Sequence, residues 1–156
     1  GYKNFDLSAY LYFSVGNELY KIFQYYTLFG GLGSNYSQDR RDNSWSPTNP
    51  DGIYPLWVGG SSEAAESYTT SNSTYLEDGT YARLQNLSIG YTIPKSVQDK
   101  IGVSQMRVYG QISNLFTLTN YSGLDPEVRG GDRTRGIDYG AYGIPRQLIL
   151  GVNVTF

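Results

Sequence analysis

The constraint that most narrows the folds open to this chain is a two-residue alternation that returns four times. In RQLILGVNVTF, Leu148, Leu150, Val152, Val154 and Phe156 hold the even positions, and Gln147, Ile149, Gly151, Asn153 and Thr155 the odd ones. Successive side chains of a strand point to opposite faces, so one face is continuously apolar and the other mostly small or polar. FDLSAYLYFSVG repeats the pattern, with Phe5, Leu7, Ala9, Leu11, Phe13 and Val15 opposing Asp6, Ser8, Tyr10, Tyr12, Ser14 and Gly16. In TYARLQNLSIGYTIP, Leu87, Ile89, Tyr91 and Ile93 oppose Asn86, Ser88, Gly90 and Thr92. Leu84 is out of phase there, which a bulge near Gln85 reconciles. In QMRVYGQISNLFTLT, Met106, Val108, Ile112, Phe116 and Leu118 oppose Arg107, Tyr109, Gln111, Ser113 and Thr117. Strands are therefore expected over about 5–16, 80–93, 105–119 and 146–156.

The connections between these strands are long, short and long. Residues 17–79 carry no sustained period. Within them NELYKIFQYYTLF (17–29) reads as a short helix or a strand extension, and SYTTSNSTYLEDG (67–79) as a polar turn region. The stretch 30–60 is rich in Gly, Pro, Asn, Asp and Ser, with Trp45, Tyr54 and Trp57 embedded. Residues 94–104 form a short turn or a single helical turn ending at Gly102. A second polar loop occupies 120–145. Long loops inside one domain tend to be functional. Both long loops fall on one side of the sheet and the short turn on the other, which is the asymmetry of an outer-membrane barrel. The expected fold is all-β: an antiparallel transmembrane β-barrel segment. Loops 17–79 and 120–145 are expected to be extracellular and turn 94–104 periplasmic. Phe5, Tyr91 and Phe156 then fall at the periplasmic rim, where aromatic girdles lie. The rival is a soluble antiparallel sandwich, whose strands also alternate: a secreted carbohydrate-binding module using Trp45 and Trp57. Strand length, loop asymmetry and the stop at Phe156 favour the barrel.

Composition removes other classes. The chain has 156 residues, no cysteine and no histidine. That excludes disulfides, thiolate metal sites, a cysteine nucleophile and the commonest general base. A net charge of -2 gives no reason to expect nucleic acid. Sixteen tyrosines and 19 glycines favour strands, loops and interfaces over helices. No apolar run approaches the roughly 20 residues of a membrane-spanning helix. The chain starts at Gly1 without a Met or a visible signal peptide, so a fragment or processed product is expected.

Three ordered stretches carry a resemblance. YARLQNLSIGYTIPKS, RVYGQISNLFTLTNYSGLDPEV and GIDYGAYGIPRQLILGVNVTF resemble the C-terminal end of the SusC/RagA family of TonB-linked outer-membrane transporters. The match covers residues 75–156; residues 1–16 suit a preceding strand of the family, and 17–74 add nothing to it. Two departures are modest. Tyr142-Gly143-Ile144-Pro145 stands where a Tyr-Pro pairing is usual, and Ser113 precedes Asn114 where Gln is common. The resemblance implies a barrel of about 22 strands filled by a plug. It implies a SusD-like surface lipoprotein as lid and energy from TonB–ExbB–ExbD, acting through N-terminal parts not in this sequence. It also implies uptake of oligosaccharides or oligopeptides, and a terminal aromatic, Phe156, that serves as a barrel-assembly signal. Four strands cannot close a barrel, and their free edges and apolar face would aggregate in water. The chain therefore reads as the last four strands of a larger transporter, surrounded by the rest of its barrel and plug and by outer-membrane lipid.

Candidate sites follow from this layout. Asp6, Tyr10, Tyr12, Arg83, Arg107 and Tyr109 are expected to face the lumen, bonding to the plug or neighbouring strands or touching substrate. Trp45, Tyr54 and Trp57 are candidates to contact substrate or lid, as stacking platforms for sugar rings; otherwise they anchor the loop. Asp125, Glu127, Asp132 and Asp138 offer oxygen ligands for Ca²⁺. They lack the D-x-[DN]-x-[DN]-G order and are interleaved with Arg129, Arg133 and Arg135, so a surface ion-pair network is the preferred reading. Asn35, Asn72, Asn86, Asn120 and Asn153 begin N-x-[ST] matches, expected by chance here. Glu63 and Glu66 form an acid pair without any supporting motif, so no catalytic residue and no cofactor are assigned.

Overall fold

The structure, a computed structural model, describes residues 1–28, 35–56 and 73–156. The chain divides into two compact units: Gly1–Gly16 with Thr80–Asn120 and Gly143–Phe156, and Asn17–Gly79 with Tyr121–Tyr142.

The first unit is an antiparallel sheet. Its strands are β1 (Phe5–Ser14), β4 (Tyr81–Thr92), β5 (Gln105–Ser113), β6 (Thr117–Thr119) and β7 (Gln147–Thr155). The order is β1-β4-β5-β7, with β6 beside β4. Pairing carries the alternation intact from strand to strand. One row reads Leu7, Ile89, Gly110, Leu150, and the next Asp6, Gly90, Tyr109, Gly151. Directly opposed residues share a face, so the apolar sets of all the strands coincide. That face is open: Leu7 is 67% and Leu150 77% exposed. The inner face of a sandwich is covered, so the sandwich reading does not describe this sheet.

Two irregularities break the register, and they are adjacent. Tyr10 pairs with Asn86 but Leu11 with Leu84, leaving Gln85 as the extra residue of a bulge. The bulge puts Leu84 on the apolar face with Leu11. Opposite it the third alternating segment is interrupted: β5 stops at Ser113 and β6 resumes at Thr117. Between them Asn114 takes a left-handed φ of 54° and donates its N–H to Gln85 O at 3.0 Å. Leu115 N bonds Leu84 O at 3.1 Å. Asparagine accepts this conformation better than most residues.

The short connection holds α3 (Lys95–Ile101). It is fastened by Gln98, a buried residue whose Nε2 donates to Ile93 O at 2.6 Å.

The second unit is built from the two long connections. It contains β2 (Glu18–Tyr20) paired antiparallel with β3 (Leu76–Asp78), and α1 (Phe23–Leu28) and α2 (Gln38–Asp42). The described part of the segment 17–29 is thus strand first and helix second. The strand ends where Tyr20 bridges in parallel to Ile137 of the second loop. In α2, Ser37 caps the helix by accepting from Arg40 N at 3.1 Å. Buried apolar side chains of this unit include Leu19, Leu28, Tyr54, Tyr75 and Tyr121. The loops therefore possess a water-excluding core, while the long strands expose their apolar side chains.

Candidate functional site

Asp6, Tyr10, Tyr12, Arg83, Arg107 and Tyr109 lie on the polar face of the sheet, five of them in two groups. Asp6, Tyr109 and Arg107 form the first. Arg107 Nε donates to Asp6 Oδ1 at 2.9 Å and a terminal nitrogen to Oδ2 at 2.5 Å, a two-pronged pair. The pair spans from β5 to β1 across β4, directly over Gly90. A Cβ at Gly90 would run into both the guanidinium and the carboxylate. Arg107 also lies 5.2 Å from the Tyr109 ring centre. That ring lies against Gly151, where a Cβ would strike it. Two glycines thus make room for side chains lying along the sheet.

Tyr12 and Arg83 form the second group. They are paired neighbours on β1 and β4. Arg83 is only 2% exposed. Its Nε donates to Thr117 Oγ1 at 2.8 Å, and its guanidinium lies 5.4 Å from the Tyr81 ring. Tyr12 packs against Tyr81 at 5.7 Å between ring centres. Tyr10 stands between the groups, exposed, in the row Tyr10, Asn86, Ser113, Gln147. Most of the charge on this face is therefore neutralised within the sheet. What remains open is tyrosine, amide and hydroxyl chemistry: donors and acceptors on a rigid support.

In the first loop the aromatic candidates separate. Trp57 lies outside the described residues, as do Glu63 and Glu66. Trp45 is partly exposed, at 43%. Tyr54 is buried, and its hydroxyl donates to Asp39 Oδ2 at 2.6 Å. Burial and then the Asp39 carboxylate push the phenol up to about 12. Trp45 N bonds Tyr54 O at 2.7 Å, and Arg40 covers the Tyr54 ring at 5.7 Å. Tyr54 is therefore the anchor of this turn, and Trp45 the side chain it presents.

In the second loop the four acids do not converge. Among the described residues no group of three or more acidic side chains lies together to hold a metal ion. Asp125 Oδ1 accepts from Glu127 N at 2.9 Å. Asp138 is buried; it accepts from Tyr121 Oη at 2.5 Å and from Gly140 N at 2.7 Å. Burial, then the adjoining Asp138 carboxylate, raises the Tyr121 phenol far above its ordinary range. Phe156, just past the end of β7, is exposed.

One cluster has no counterpart in the sequence reading. Lys21 Nζ bonds Glu77 Oε1 at 3.2 Å and also Ser122 Oγ. Ser122 in turn donates N–H and hydroxyl to Glu77 at 2.9 and 2.8 Å. Burial alone would raise Glu77, but the Ser122 donors and the Lys21 ammonium outweigh it and hold the carboxyl below its ordinary value. The only signal in the sequence is a lysine within the otherwise apolar stretch LYKIF.

Comparisons with known proteins agree on what this arrangement is similar to. The chain is 38% identical over 164 residues to TonB-dependent receptor P3 of Formosa agariphila, covering 99% of this chain and 15% of that protein. It is 31% identical over 160 residues to TonB-dependent receptor SusC of Bacteroides thetaiotaomicron, covering 99% of this chain and 14% of the relative. It superposes on the solved structure of the RagAB peptide transporter with a TM-score of 0.78 at 28% identity, over 99% of this chain and 16% of that one. No protein-family model matches. The likeness thus reaches beyond residues 75–156 to the first long loop as well. The chain spans only about a seventh of the length of these curated relatives. The resemblance to SusC/RagA transporters and the barrel-segment fold class both stand on these matches.

Proposed function

We propose that this chain, similar throughout its length to part of the SusC-like TonB-dependent receptors, is a portion of the channel wall of a nutrient importer in the bacterial outer membrane. The observation that carries the reading is a sheet with two open faces, one apolar and one polar. A soluble protein rarely leaves so broad an apolar surface uncovered. Lipid on that face and a watery lumen on the other suit both. Strand length fits as well. The 12 residues of β4, at about 3.3 Å each and a tilt of about 45°, rise about 28 Å, near the ~25 Å apolar band of such barrels.

In this reading loops 17–79 and 120–145 face outside and turn 94–104 the periplasm. Asp6, Tyr10, Tyr12, Arg83, Arg107 and Tyr109 line the lumen, and Trp45 is offered to substrate or lid. Phe156 serves barrel assembly. A SusD-like lipoprotein covers the mouth, and TonB–ExbB–ExbD supplies energy through parts of the protein beyond this segment. The cargo is an oligosaccharide or an oligopeptide; SusC and a peptide transporter are both among the similar proteins. No step of chemistry on the cargo is assigned.

The test is uptake by cells carrying or lacking the full-length protein, with labelled oligosaccharides and oligopeptides, with and without TonB. Accumulation that needs both is expected. Recovery of the full-length protein in the soluble fraction would end the reading.

A further inference from the structure

Three separate stretches of the loop unit meet at one ammonium group. Lys21 is only 7% exposed. It contacts Glu77 on β3 and Ser122 at the start of the second loop, and lies 5.2 and 5.9 Å from the ring centres of Phe23 and Tyr121. Ser122 closes the triangle through its own two bonds to Glu77. The far end of the loop is held by backbone: Tyr20 N to Gly136 O at 2.8 Å, Asp138 N to Tyr20 O at 2.8 Å, and Phe23 N to Asp138 O at 3.3 Å. Between these two attachments runs a strap, 123–135, bearing the exposed Arg129, Arg133 and Arg135. A buried ammonium is tolerated only with partners, and a buried carboxylate deprived of its cation is left uncompensated. One end of the strap therefore depends on one charge.

We infer that Lys21 is a positioning residue: it latches the second long loop, through Ser122 and Glu77, onto the first, so that the two open and close as one body. The inference rests on the proposed function only for the side of the membrane on which the latch sits. In an importer, coupling of this kind would make the two loops respond to cargo or lid together.

The test is limited trypsin digestion of the full-length transporter in its membrane, comparing wild type with Lys21→Met, Lys21→Arg and Glu77→Gln. Lys21→Met is expected to speed cleavage at Arg129, Arg133 and Arg135 by roughly tenfold or more, because cleavage follows the population of the open loop. Cleavage at Arg41 in the first loop is expected to stay as in wild type. Lys21→Arg keeps the charge and should restore most of the protection. Unchanged cleavage in Lys21→Met overturns the latch, and so does an equal rise at Arg41, which would mean general loosening. Should Lys21→Met fail to assemble, Glu77→Gln decides in the same way, since it removes the counter-charge but keeps an acceptor for Ser122. Cleavage that appears only after the outer membrane is opened would overturn the outward orientation of the loops, while the difference between variants would still support the latch.

Discussion

The Tyr109 ring lies directly on Gly151 of the neighbouring strand, in the space that a Cβ at that position would fill. The pair sits in the row Asp6, Gly90, Tyr109, Gly151, and Arg107 lies over Gly90 in the same manner. Side chains that reach over a glycine of the neighbouring strand brace adjacent strands.

Gly151→Val should therefore destabilise the barrel by about 1–3 kcal/mol, the usual cost of overpacking. Removing the ring should relieve it, so Gly151→Val with Tyr109→Ser should cost less than the sum of the single changes. Heat-dependent gel migration of the full-length protein measures both. Simple additivity would mean that ring and glycine are not coupled.

Facing makes a sharper contrast one residue apart. Leu150 is on the open apolar face and Ile149 on the polar one, in the row Ser8, Ser88, Gln111, Ile149. Leu150→Arg puts a charge into lipid and should cost about 2–4 kcal/mol near the midplane. Ile149→Arg, equally drastic as chemistry and at the same depth, should be far better tolerated. Equal losses of assembled protein in the outer membrane would show that the faces are assigned the wrong way or that neither meets lipid.

That contrast also marks what a sequence exposes and what it hides. Period two converts directly into face, so the strand faces, and even the bulge at Gln85, were readable from Leu84 and Leu87. Reach across strands was not: the Asp6–Arg107 pair joins residues 101 positions apart, and only the register shows that Gly90 lies beneath it. Residue type likewise says nothing about burial inside a loop. In the sequence Tyr54 stands with Trp45 as either a platform or a loop anchor, and only its burial and its bond to Asp39 separate the two. Lys21, Glu77 and Ser122 come from distant stretches with no period to align them, so their meeting had no one-dimensional signature.

Burial of the Tyr54 phenol, and then its bond to Asp39, give the first loop an alkaline limit. The phenol is raised from an ordinary 10.0 to about 12 in the folded loop. A raised value means that the contribution is complete below the unfolded value and is lost as pH climbs through the folded one. Order around Trp45 should hold up to about pH 10 and fade between about 10 and 12. Indole fluorescence of the full-length protein can follow it, with Trp45→Phe identifying the signal. Tyr54→Phe should abolish that step, and its survival in this variant would assign it to another group.

Glu77 sets an acid limit on the same loops, with the opposite sign. Its carboxyl lies below the ordinary 4.5 because the Ser122 donors and Lys21 outweigh the effect of burial. A depressed value means that the stabilisation is present above the unfolded value and is lost as pH falls through the folded one. Protection of the 121–142 loop should thus be flat from neutrality to about pH 4.5 and decline below it. Lys21→Met removes the cation, so burial weighs more heavily, the folded value moves back toward or past the unfolded one, and the acid-dependent decline should shrink or vanish. Glu77→Gln should abolish the acid-dependent step altogether, leaving weaker protection that no longer varies with pH. Pulsed hydrogen exchange across this range, read on loop peptides of the full-length protein, separates the three. An acid-dependent decline of the same size in wild type and Lys21→Met would mean that the ammonium does not hold the carboxylate, and that the loop is fastened by its backbone bridge to Tyr20 alone.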